Sequence, residues 1–447
     1  MTLSQLMRAT ATGAMLAALT QAAAAQEITI SVWSGGSGPL DNYRTDAIAI
    51  AADLLEREAA IRGKELSITV VPTVYAGWDD FKQALTLSAE AGTAPNIIVS
   101  GHEDIAPWSQ SGLIVPVEDY LDLDAWPLND IFPNLMQIAS YGGVVYGIPQ
   151  DAESRPFFFW KPHMLAIGYS EADLAALPKR IQDGEYTLAT VLEDARKMQD
   201  AGLVEAGYGF YPRFSNGPDF WQFYTSFGGV MEEDGKLVLD RAAMKGMFQF
   251  FADAVAAGVT KQNHIGMPGD QWWAEVASGK AGIWHGGTWH YGRLTGKEGL
   301  TDFFGTVAFS LVPAGEGGKA NTLTHPLVYL LASGYDEATT TIAAQLIEIA
   351  SEPRINTLHA IKSAHLGISK SQSDIELYAA DRWASEATVA LLPHAIAMPN
   401  NSDFGAYWGM MWSNLEAVWT GAKTVDAAVA DLESEVTSAL GDAIIVR

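Results

Sequence analysis

Residues 28 to 71 read strand, helix, strand, and that order constrains the fold more than any other feature of the chain. ITISVW, Ile28 to Trp33, alternates β-branched residues as a strand does. Between about Asp41 and Arg62 the apolar positions Ile48, Ala51, Ala52, Leu55 and Ala59 share one helix face. Leu66 to Val71 is then almost continuously apolar, the pattern of a strand covered on both faces. A helical crossover brings the chain back to the end of the sheet where it started, so the two strands run parallel and the unit is βαβ. The class that follows is α/β.

The alternation continues. A strand is expected from Asn96 to Ser100. A helix from Thr187 to Ala201 takes Thr187 as its N-cap and carries Leu188, Val191, Leu192, Ala195 and Met198 on one side. Gly207 to Tyr211 reads as a strand, and Asp240 caps a helix that ends at Gly258. After the strand in GTVAFSLVP and the apolar run in TLTHPLVYLLASG come helices from Thr339 to Ser351 and from Pro353. Two amphipathic helices close the chain, one with Tyr407, Trp408, Met411, Trp412 and Leu415, the other from Val425 to Leu440. The 447 residues, 48% of them hydrophobic, exceed what one core usually takes, so two lobes are expected.

Residues 1 to 25 are read as a signal peptide: Arg8, a short apolar run from Ala11 to Leu19, and Ala23-Ala24-Ala25 before the cleavage point at Gln26. Without that segment 26 basic side chains face 53 acidic ones, a formal charge of −27. No basic run exists to neutralise phosphates, which argues against nucleic acid. The chain has no cysteine, so neither a disulfide nor a lipid-modified cysteine is available. The expected location is a periplasm, without a lipid anchor.

Glu275 to Gly292, EVASGKAGIWHGGTWHYG, is the stretch most suited to a ligand. It reads as a helix end, a turn at Ser278-Gly279, a buried strand from Ala281 to Trp284, and a Gly-Gly turn that delivers Trp289 to the head of the next helix. Glycine lets backbone approach a bound molecule, and an indole offers a flat apolar face with one donor at its edge, which suits a sugar ring. Trp284, inside the strand, is read as core; Trp289, beyond Gly287, as the ligand residue. The Gly-rich loop after the first strand, Ser34 to Pro39, lacks the G-x-G-x-x-G spacing of a dinucleotide site. His102, His285 and His290 sit in no metal-ligand motif, and no metal or cofactor is expected.

The turn, strand, Gly-Gly and Trp resemble the segment with the stacking tryptophan in family 1 extracellular solute-binding proteins, the maltose-binding-protein-like receptors of ABC importers. Further matches span nearly the whole mature chain, in order. Gly101-His102-Glu103-Asp104 resembles the family's strand, His and sugar-binding acid, with Glu103 on the acid's position. YGGVVYGIPQDAESRPFFFW, Tyr141 to Trp160, resembles the first crossing between lobes, with Glu153 on a second sugar-binding acid; Phe159-Trp160-Lys161 departs from the family's Tyr-Asn-Lys in two positions. Asp219 and Trp221 lie near further contacts, and Tyr407, with Trp408 one residue on, lies where an aromatic stacks on ligand.

The resemblance implies a type II periplasmic-binding-protein fold, each lobe a mainly parallel sheet flanked by helices. The N-terminal lobe would comprise residues 26–152 plus 326–362, and the C-terminal lobe 153–325 plus 363–447. It implies a ligand site from Trp33, Gly36, Trp78, His102, Glu103, Glu153, Asp219, Trp221, Gly287, Trp289, Tyr407 and Trp408. It also implies a monomer that captures a carbohydrate and delivers it to membrane permease subunits, without catalysis. Arg155, Arg213 and Arg293 are read as solvated surface charges, with an anionic sugar derivative left open. The alternative is a secreted glycoside hydrolase, with Glu103 and Glu153 as paired carboxylates; the Pro-marked crossings at Pro149 and Pro156 favour the receptor.

Overall fold

The protein is described from a computed structural model covering residues 26–36 and 43–447. The segment read as a signal peptide, and Ser37 to Asn42 of the Gly-rich loop, lie outside the described residues. Strands Gln26–Ser34 and Leu66–Val74 pair in parallel, in register from Ile28↔Ile68 to Ser34↔Val74. Helix Tyr43–Ile61 connects them and buries Ala47, Ile48, Ala51, Ala52 and Ala59, as the spacing requires. Ile97–Gly101 adds in parallel on the other side.

Strand Leu327–Ala332 completes the first sheet, antiparallel to Ile97–Gly101, Ile114–Val115 and Gly147–Pro149. Its register sets Leu327 opposite Gly101. Every residue of both central strands is buried.

The second sheet centres on Phe157–Trp160, flanked by Ile283–His285 and Val307–Ser310, both antiparallel to it. Two α/β lobes are present, but this sheet departs from the mainly parallel pairing that the sequence suggests. An apolar run reports that both faces are covered; it carries no information on strand direction. Gly207 to Tyr211 does not join as a regular strand. It bonds through Gly282 N to Tyr208 O and Tyr211 N to Ile283 O, with a single bridge at Phe210. Gly207 has φ +84° and a Cβ on Gly209 would meet the Ala195 carbonyl oxygen at 2.5 Å, so the segment bends over a helix instead of lying flat in a ladder.

That helix, Leu188–Asp200, is capped by the Thr187 side chain, which accepts from Thr190 N; Asp240 likewise accepts from Ala242 N and Ala243 N at the head of Arg241–Ala256. Such caps are each worth about 1 kcal/mol. Around the second sheet packs a core of aromatic rings, among them Phe157, Phe210, Phe223 and Phe251. Trp284 belongs to this core: it is fully buried and stacks on Phe158 at 5.3 Å.

The chain leaves the first sheet at Pro149 and enters the second at Phe157. It returns between Ser310 and Leu327, and helices Glu337–Ala350 and Pro353–Ser363 pack on Tyr43–Ile61. It then crosses again, and Phe404–Trp419 and Val425–Leu440 pack against Arg241–Ala256. The crossings lie side by side, bridged at Ala152↔Leu366 and Ser154↔Thr324. Alongside runs a segment that the sequence did not signal: Ala395–Ala397 pairs in parallel with Thr322–Thr324, and Asn400 ties it to Ala106 N, Ile138 O and Ser140 O.

Candidate functional site

A cavity of about 660 Å³ opens between the two sheets, walled from both lobes. From the first come Gly36, Arg44, Trp78, Lys82, Glu103 and Asp104. From the second come Arg213, Asn216, Asp219, Trp289 and Trp408, with Glu153, Arg155, His325 and His365 supplied by the crossings. Seven of the twelve sequence-predicted residues therefore converge here: Gly36, Trp78, Glu103, Glu153, Asp219, Trp289 and Trp408. A larger cavity of about 900 Å³ lies beside the segment 395–403, and none of the twelve lines it.

The other five do not reach the cavity wall, each for a visible reason. Trp33 packs against Tyr75 at 5.6 Å. His102 is fully buried, with Nε2 3.2 Å from the Met398 carbonyl oxygen. Trp221 and Tyr407 pack on each other in the core at 4.9 Å, and the Tyr407 hydroxyl donates to Val238 O. On helix Phe404–Trp419 the neighbour Trp408 takes the outward position, its indole N–H donating to Asn216 Oδ1 at 2.7 Å. Gly287 lies beneath the indole it was expected to accompany: a Cβ there would sit 1.5 Å from Trp289, so the glycine makes room for the tryptophan to fold back over the chain.

Two charge clusters dominate the wall. In the first, Arg155 joins Glu153 and Asp219, with Nη1 2.8 Å from Asp219 Oδ1, while its guanidinium lies over Trp289. All three ionic side chains are almost fully buried. Burial opposes the charge on Asp219, but Arg155, Arg213 and His285 outweigh it and hold the carboxyl well below the usual range. His365 Nε2 stands 3.4 Å from the other Glu153 oxygen. Arg213 is half-buried over Phe214, Trp272 and Trp273, and its Nη1 has no partner among the described residues. Solvated surface charges were expected at Arg155 and Arg213; both instead face the cavity. Arg293 is committed to Asp270 and Glu298.

The second cluster is Lys82, Glu103, Asp104 and His325. Lys82 Nζ lies 2.7 Å from Asp104 Oδ1 and 3.2 Å from Glu103 Oε1, and His325 Nε2 lies 2.9 Å from Glu103 Oε2. Burial and the Glu103 charge push Asp104 up to about 6. Arg44, Lys82, His325 and His365 were missed by the sequence reading. They come from helix faces and from loops beside strand ends, where a single charged residue looks like any solvated one.

The cavity therefore presents aromatic rings from both lobes beside charged groups, an arrangement suited to a polar molecule with apolar faces. The whole fold has close counterparts. The GacH receptor of Streptomyces glaucescens superimposes with a TM-score of 0.73 at 16% identity, covering 93% of this chain and 99% of that one. Maltose-bound MalE3 of T. maritima gives 0.74 at 17%, covering 92% and 100%. The sugar-binding protein MalE from Xanthomonas citri gives 0.71 at 17%, covering 92% and 96%. At such identities the likeness speaks to fold. The sequence itself goes further, because residues 64–354 match the pattern of one family over well more than half of the chain, and by that match the protein belongs to the bacterial extracellular solute-binding proteins.

Proposed function

We propose that the protein captures a carbohydrate or sugar derivative in the cleft between its lobes and delivers it to the permease of an ABC importer. The observation that carries this reading is the pairing of indoles with fixed charges around one cavity: Trp78, Trp289 and Trp408 together with Glu103, Glu153, Arg155 and Asp219. Indole faces cover the C–H faces of a sugar ring while carboxylates and guanidinium groups take its hydroxyls. The sugar-bound counterparts, with maltose in one and tagatose in another, support it. On this reading the protein is exported by cleavage after Ala25 and acts as a freely diffusing periplasmic monomer. Its lobes divide as 26–152 plus 326–362 and 153–325 plus 363–447.

Binding without catalysis fits the carboxylates. A hydrolase needs one protonated acid aimed at the leaving oxygen. Glu103 is engaged by Lys82 and His325, and Glu153 by Arg155 and His365. Asp104, whose pKa is raised, has one oxygen on Lys82 and the other accepting from Ser100.

A thermal-shift screen over mono- and oligosaccharides, polyols and sugar acids tests the reading, since a ligand bound only by the folded form raises Tm. The stabilising compound should be recovered unchanged after hours with the protein. No shift across the screen, or release of reducing ends in proportion to protein, would overturn it.

A further inference from the structure

The antiparallel register that sets Leu327 opposite Gly101 also brings together the residues just beyond those strand ends, His102, Glu103 and His325. The two imidazoles meet edge to face, 5.0 Å between centres. One nitrogen from each histidine and one Glu103 oxygen all lie within 4.8 Å of one another. His102 Nδ1, Glu103 Oε2 and His325 Nε2 are buried without a hydrogen-bond partner among the described residues. The 2.9 Å between His325 Nε2 and Glu103 Oε2 is an ion pair only when the imidazole is protonated; on the neutral ring that nitrogen can present a lone pair beside the carboxylate.

The tautomer of His102 follows from its surroundings. Its Nε2 faces the Met398 carbonyl oxygen, which can only accept, so Nε2 carries the proton and Nδ1 presents a bare lone pair. A backbone carbonyl in that role is the usual support of a metal-bound imidazole. Leaving such a lone pair buried and unmatched costs on the order of 1 to 3 kcal/mol. Glu103 is arranged to the same end. Lys82 holds its Oε1 and leaves Oε2 for the histidines, and Gly101 provides the space, since a Cβ there would lie 2.0 Å from Oε2. Asp104, 2.7 Å from Lys82, offsets the nearby ammonium charge.

We propose that His102, Glu103 and His325 form a binding site for a divalent transition metal of the zinc type in the wall of the cleft. Two imidazoles and a carboxylate are a donor set that such ions favour, with bonds of about 2.0 to 2.2 Å and donor atoms therefore roughly 3.4 Å apart in a tetrahedron. The 2.9 Å His325–Glu103 separation and the 4.8 Å limit on all three pairs bracket that value. Glu103 and His325 line the cavity, which puts the site beside the bound cargo. The site does not depend on that cargo being a sugar. His325 lies more than two hundred positions from the adjacent His102 and Glu103, and for that reason no metal motif shows in the chain.

The test uses the full mature chain, free of any histidine tag and stripped with chelator, titrated with Co²⁺ in the absence of sugar. The expected result is visible d–d absorption of a low-symmetry cobalt site, saturating at a single equivalent and displaced by Zn²⁺. Glu103→Gln, which preserves size, and His325→Gln should each weaken Co²⁺ binding by about tenfold or more, judged by the loss of mutations that disturb such sites. An independent readout is a rise in wild-type Tm with Zn²⁺ that Glu103→Gln removes. Absence of the wild-type absorption, or absorption unchanged in both variants, would overturn the proposal; the former needs no variant to fold.

Discussion

The guanidinium of Arg155 lies 4.7 Å from the centre of the Trp289 indole. The cation is itself clamped between Glu153 and Asp219, so the ring is positioned by a buried ionic group as well as by the turn at Gly287. If Trp289 also covers a sugar face, Trp289→Ala removes a ligand anchor on the order of 2 to 4 kcal/mol, or about thirtyfold to a thousandfold in Kd. Trp284→Ala, in the core, should instead cost roughly 3 to 5 kcal/mol of stability and leave affinity in the folded fraction nearly intact. Calorimetry with the best sugar, alongside melting curves, separates the two patterns. A Trp289→Ala protein that melts far lower yet binds normally would return that indole to packing.

The same cluster makes a prediction about stability. Asp219→Asn removes the carboxylate 2.8 Å from Arg155 and leaves a buried guanidinium with Glu153 alone. Breaking a buried pair from one side costs about 3 to 5 kcal/mol, most of it from the stranded partner. Asp219→Asn combined with Arg155→Met and Glu153→Gln, which leaves none of the three positions charged, should therefore be less destabilised than Asp219→Asn by itself, as urea unfolding would show. Equal or greater loss in the triple variant would mean that the guanidinium is not stranded.

Much of this arrangement was legible in the chain, and the remainder fails for identifiable reasons. The βαβ start, the caps at Thr187 and Asp240, and Trp284 as core all rest on local patterns, and local patterns survive folding. Tyr407 and Trp408 illustrate the limit: spacing along the chain carried the ligand role to Tyr407, but a one-residue step on a helix turns a side chain by about 100°, and Trp408 is the one that faces the cavity. Trp221 was misread because its apolar surroundings come from Phe404 and Tyr407, nearly two hundred positions away. His325 and His365 became visible only when the crossings brought their segments beside Glu103 and Glu153.

Buried neutral histidines should make the protein acid-sensitive. Burial pushes His264 down to about 4 and His285 down to about 3, and lowers His102 and His290 as well. Below the free imidazole value of about 6.5 the unfolded chain takes up protons that the folded chain refuses. Stability is thus complete above that pH and declines as the pH falls toward these folded-state values, by roughly 1.4 kcal/mol per pH unit for each such histidine. His325, raised by Glu103 against the effect of burial, acts in the opposite sense. Melting curves should show a lower Tm at pH 5 than at pH 7.5, with a shallower slope in His264→Gln. A Tm constant over that interval would contradict the burial of these rings.

The last prediction concerns motion. Three crossings lie side by side between the sheets, held by single bridges at Ala152↔Leu366 and Ser154↔Thr324. Pro149 and Pro156 keep the first of them from becoming helical. A few bridged residues can change φ and ψ while both sheets stay intact, which is how hinged lobes close on a ligand. Small-angle scattering should then record a fall in radius of gyration when the best sugar is added to saturation. The segment containing Asn400 would bend with the crossings, because its side chain bonds Ala106 N, Ile138 O and Ser140 O on the first-sheet side. Asn400→Ala should loosen that tie and shift the sugar-free protein to a larger radius, while the bound form still contracts. A radius unchanged by saturating sugar in the wild type would rule out closure about these crossings and leave a rigid cleft.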